Sequence, residues 1–117
     1  MWPFGRRQPS APENEPPLTP ARTLLYMVSR YDDLTIPEVV ARSSEDPAVI
    51  VRNIVQLHEM GFIRVNKPEV LLELRAIADD ITARMSDRPT LDKRVALLNR
   101  TSRKGSGLRE AILTPAP

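Results

Sequence analysis

"EDPAVIVRNIVQLHEMGFIRV", Glu45 to Val65, reads as a helix that stops at a glycine and leaves as a short strand. Asp46 followed by Pro47 combines a side chain able to accept from a helical N–H with a residue whose missing N–H costs nothing at the first helical position. The helix predicted from Pro47 runs to Met60, and Gly61 supplies the left-handed residue that closes many helices. At 100° per residue, Ile54 and Leu57 fall within about 40° of Ile50, whereas Arg52, Gln56 and Glu59 lie opposite. An inward apolar stripe and an outward polar face follow. Val49 and Val51 flank the stripe, Val55 is expected on the outside, and His58 beside the stripe reads as a structural histidine. In "GFIRV", Ile63 and Val65 alternate with Phe62 and Arg64, the period of a half-buried strand.

Upstream, Thr19 and Pro20 repeat the cap-plus-proline pattern, and Leu24, Leu25, Val28 and Tyr31 define one face of a first helix. "LTIPEVVARSS" carries a capping box, with Thr35 at the N-cap and Glu38 three residues on, so a short second helix starts at Ile36. Downstream, Asn66 and Lys67 lead into a helix predicted from Pro68 to Met85, striped by Val70, Leu71, Leu74, Ile77, Ala78, Ile81 and Met85. A double-width stripe fits packing within a domain or between two subunits. Thr90 is read as the cap of a last helix in which Leu91, Val95 and Leu98 recur at i, i+4 and i+7.

A chain of 117 residues builds one modest core. Aromatic residues are 4% of it, and the apolar content is mostly Leu, Ile, Val and Ala, which favours packed helices over a β-sandwich. The expected fold is mainly α, with a helix-turn-helix core holding one short strand, two C-terminal helices and disordered flanks. Residues 1–18 are read as a proline-rich arm whose tip carries Trp2 and Phe4 beside Arg6 and Arg7. Residues 19–66 form the core, 67–101 the C-terminal helices and a possible dimerisation element, and 102–117 a flexible basic tail.

With no cysteine and one histidine, a thiolate metal site is excluded and no cofactor is expected. No run is long and apolar enough for a membrane span or a secretory signal, so the cytoplasm is the expected compartment. Nucleophile, base and oxyanion donors do not assemble into a catalytic set, and no enzymatic activity is expected. The net charge of +2 is unevenly spread: Arg88 to Pro117 holds seven Lys and Arg against two Asp and Glu.

The order of helix, capped short helix, turn, longer helix ending in "LHEMGFI" and strand resembles the winged helix-turn-helix superfamily, in particular its MarR-like and PadR-like members. The resemblance covers Thr19 to Val65 and rests on Leu57, Gly61, Phe62 and Ile63, with Ala41 as the small residue where two helices meet. It implies that the third helix lies in the major groove of DNA. Arg52, Asn53 and Gln56 would then read bases, because guanidinium and carboxamide groups pair with purine edges. Ala48 and Val49 would lie beside them, and Arg42, Arg64 and Lys67 would hold phosphates. The family wing needs further strands, yet Asn66, Lys67 and Pro68 run straight into helix. A homodimer joined through Leu71, Leu74, Ala78, Ile81 and Met85 is the expected assembly, and a small transcriptional regulator or DNA-organising factor the expected role. The alternative is the same scaffold used for protein contact through Val49, Val55 or the terminal segments.

Overall fold

The computed structural model describes residues 19–117; the N-terminal arm with its Trp2/Phe4 motif lies outside the described residues. Chain order is α1 (Pro20–Arg30), β1 (Leu34–Thr35), α2 (Ile36–Arg42), α3 (Pro47–Glu59), β2 (Ile63–Val65), α4 (Val70–Arg84), α5 (Thr90–Thr101), α6 (Gly107–Glu110) and β3 (Ile112–Pro115). The fold is mainly helical with a small three-stranded antiparallel sheet.

Local chemistry fixes the first three helices. Thr19 accepts from the Arg22 N–H and Asp46 from the Ala48 N–H, each ahead of a proline. At α2 the box closes in both directions: the Thr35 hydroxyl accepts from the Glu38 N–H, and Glu38 Oε1 accepts from the Thr35 N–H at 2.9 Å. The Glu38 carboxyl is held below its ordinary pKa, first by that backbone bond, then by the Thr35 hydroxyl, with Arg42 adding attraction. A carboxylate depressed in the folded state stabilises above the usual carboxylate range, and its contribution disappears as pH falls through the depressed value. Thr35→Ala is therefore expected to cost about 1 kcal/mol in urea unfolding at neutral pH. That penalty should shrink in acid; one unchanged by acid would show that the carboxylate adds nothing to the cap.

At the end of α3, Gly61 takes φ +82, with its N–H on the His58 carbonyl and the Phe62 N–H on the Leu57 carbonyl. This pair of bonds reverses the chain and starts β2 with Ile63 and Val65 facing inward.

The sheet departs from the expected single strand. Its order is β1-β3-β2, so the central strand comes from the chain segment read as a flexible basic tail. Leu113 pairs with both Leu34 and Val65, and Ile63 stands opposite Pro115. Pro115 lies beyond the reach of β1, where a missing N–H breaks no bond to that strand. Asn66, expected near the start of α4, instead accepts from the Ile112 N–H through its side chain at 2.7 Å. Leu108, Ala111 and Leu113 are fully buried, so α6 and β3 belong to the core.

Two helical faces also differ from expectation. Leu71, Leu74, Ala78 and Ile81 of α4 are buried inside this chain, and half-buried Met85 packs on the same core, so the surface assigned to a second subunit is internal. On α5 the stripe is turned outward: Leu91 and Val95 are exposed, whereas Leu97 and Thr101 are buried. Thr101 is accommodated because its hydroxyl donates to the Leu97 carbonyl. Thr90 lies within α5 after an N-cap at Pro89, and no side chain caps that helix.

Candidate functional site

The inward side of α3 is anchored by Ile50, Val51, Ile54 and Leu57, all buried. That leaves Arg52 and Gln56 exposed, with Ala48, Val49, Asn53 and Val55 half-buried around them. Two different depressions flank this ridge.

On one side α4 packs along α3, and a groove of about 440 Å³ runs between them. Ala48, Val51, Val55 and Ala78 give it an apolar floor, and its charged rim carries Arg52, Glu59, Arg75 and Asp79. Val55, expected outside, is packed against the core at this groove. Arg75 and Asp79 of α4 were given no part in this site by the sequence, because the docking of α4 beside α3 has no local signature.

On the other side a smaller cleft of about 180 Å³ lies among α1, α2 and α3. Asn53 and Arg42 line it together with Ser43, Ser44 and Glu45. Arg42 also lines a shallow third depression of about 560 Å³ with Thr23, Tyr26, Met27, Arg30, Tyr31 and Ala41. Ala41 is an exposed residue on the wall of that depression, across from α1. Tyr31, read as part of the buried face of α1, caps that helix and is 42% exposed, and Tyr26 is 61% exposed. The Arg42 guanidinium lies 4.4 Å from the centroid of the Tyr31 ring, and Arg30 donates to the Tyr26 hydroxyl at 3.0 Å. The four-residue spacing of Tyr26 and Arg30 was the available sequence signal for this cluster.

The remaining cations divide into tethered and untethered. Lys67 is ion-paired to Glu110 at 2.8 Å, and the Glu110 carboxyl is held below its ordinary pKa chiefly by that hydrogen bond. Lys93 reaches Asp46 at 3.7 Å, and Arg94 donates to the Ser43 carbonyl, so α5 pins the turn between α2 and α3. Arg84 and Arg100 share Asp80. Arg52 and Arg64 are exposed and make no ion pair with the described residues. Of the proposed phosphate contacts, Lys67 is therefore engaged elsewhere, whereas Arg42 and Arg64 remain available.

Among the described residues no cluster of His, Asp and Glu could hold a metal ion, and no helix is long and apolar enough to cross a membrane. Comparison with protein-family models, curated proteins and solved structures found no match to this chain.

Proposed function

We propose that this chain is a small, non-catalytic DNA-binding module on a winged-helix-like scaffold, with α3 as the helix that enters the major groove. One observation carries the reading: α3 is locked to the core by Ile50, Ile54 and Leu57 while Arg52 and Gln56 stand outward. A major groove about 12 Å wide admits one helix, and an untethered guanidinium suits guanine O6 and N7. The sheet supports the scaffold as well, because β3 supplies beside β2 the strand that Asn66 to Pro68 do not form.

The test is a mobility-shift titration of the full chain on duplex DNA across a salt series. Micromolar or tighter binding at low salt is expected, and Arg52→Ala should cost about 1–3 kcal/mol and relax sequence preference. Binding weaker than about 10⁻⁴ M at low salt, below ordinary non-specific affinity, would reject the role of α3. So would an Arg52→Ala protein indistinguishable from the parent.

A second reading is favoured by the α3–α4 groove. Its apolar floor and rim of both charge signs suit a polypeptide better than a polyanion. In that case DNA binding is absent, and a protein partner retained by the parent is lost in Val55→Glu; equal retention by both would count against the groove.

A further inference from the structure

We infer that the Tyr26/Arg30/Tyr31/Arg42 surface of α1 and α2 is a phosphate-backbone grip for the same duplex that α3 engages. The inference rests on the DNA reading of α3 and adds a contact surface that the sequence reading had limited to Arg42.

Three features argue for it. The first is charge: none of the seven residues lining this depression is acidic. Arg30 and Arg42 make no ion pair with the described residues, whereas Lys67, Arg84, Lys93 and Arg100 all do. Glu45 lines the adjoining cleft that Arg42 also lines, but not this depression. Glu38 attracts Arg42 but is bonded back to Thr35, and Asp32 and Asp33 lie in the exposed turn after α1.

The second feature is the geometry of the guanidinium groups. Arg42 spends its face on the Tyr31 ring, which leaves the N–H edge free for the paired oxygens of a phosphodiester. Arg30 is held by one N–H on the Tyr26 hydroxyl and keeps its other donors. Both cations are thereby steered before any partner arrives, which lowers the entropy lost on binding.

The third feature is continuity. Arg42 lines both this depression and the cleft that contains Asn53 on α3. A backbone crossing α1 and α2 at Arg42 would therefore adjoin the groove-facing helix, and phosphate contacts of this kind fix register without reading sequence.

Salt dependence of duplex binding by the 117-residue chain tests the inference. Each phosphate contact contributes about 0.9 to the slope of log K against log salt, equivalent to roughly eightfold in affinity at 0.1 M. Arg30→Gln is expected to lose about that factor equally on all duplex sequences and to flatten the slope by about 0.9. Arg30→Gln with Arg42→Gln should flatten it by about twice as much, and Arg30→Lys should keep the parent slope. Circular dichroism and melting of each variant exclude misfolding, which exposed positions are not expected to cause. If Arg30→Gln matches the parent at every salt concentration while Arg52→Ala loses affinity, the α1–α2 grip is refuted and the α3 reading survives. If the parent itself fails to bind duplex at low salt, both fall.

Discussion

A chain ending at Ser106 is expected to lose its cooperative fold. The missing segment would take with it Leu108, Ala111 and Leu113, each fully buried, and the strand to which β1 and β2 both pair. Neither outer strand has another partner in the three-stranded sheet, so every ladder bond of the sheet would go. Removing one buried leucine side chain costs about 2–5 kcal/mol. Two of them, together with the sheet, approach the roughly 5–15 kcal/mol by which a domain is stable at all. Leu113→Ala is the milder form and should lower the unfolding free energy by about 2–5 kcal/mol. Circular dichroism through a urea titration reads both; a sharp transition near the parent midpoint in the truncated chain would mean that β3 is dispensable.

Leu74→Ala should be similarly damaging, by about 2–5 kcal/mol, because Leu74 is fully buried on α4, which packs against α3 and α5. The discriminating measurement is the concentration dependence of the unfolding midpoint. A cavity inside one chain shifts that midpoint equally at all protein concentrations, whereas loss at a subunit interface makes it move with concentration. An invariant midpoint is expected. Leu72, two residues earlier and 76% exposed, provides the contrast: its replacement by Ala should change stability by no more than about 0.5 kcal/mol. A midpoint that climbs with concentration, or equal penalties at the two positions, would contradict the packing of α4.

The elements legible in the sequence were those whose determinants are adjacent along the chain. Thr35 and Glu38 are three residues apart, Gly61 follows its helix directly, and the 3.6-residue spacing of Ile50, Ile54 and Leu57 marks the inner side of α3. The central strand was not legible, since Leu113 finds Leu34 and Val65 only in three dimensions, and Ile112 depends on the side chain of Asn66. On α5, periodicity misled because the inward positions are partly polar. Lys93 is answered by Asp46, Arg94 by the Ser43 carbonyl and Thr101 by a carbonyl of its own helix, while Leu91 and Val95 are left in solvent.

The outward residues of α3 were legible from the same periodicity, but their neighbours were not. Arg75 and Asp79 reach the Arg52 side only because α4 lies alongside, and Tyr31 leaves the apolar face because α1 ends one residue before it. Where burial is set by distant packing, a polar residue with a tertiary partner and an apolar residue without one are equally hidden from a local reading.

Placing β3 between two strands that precede it by so much chain also orders events during synthesis. At roughly 5–20 residues per second, the ribosome delivers Leu113 several seconds after Val65. Throughout that interval the segments that become β1 and β2 lack the strand to which both pair, and the sheet waits for a piece still being made. Contacts of such long sequence separation slow folding relative to an all-local helical bundle, so the sheet cannot close until β3 has emerged.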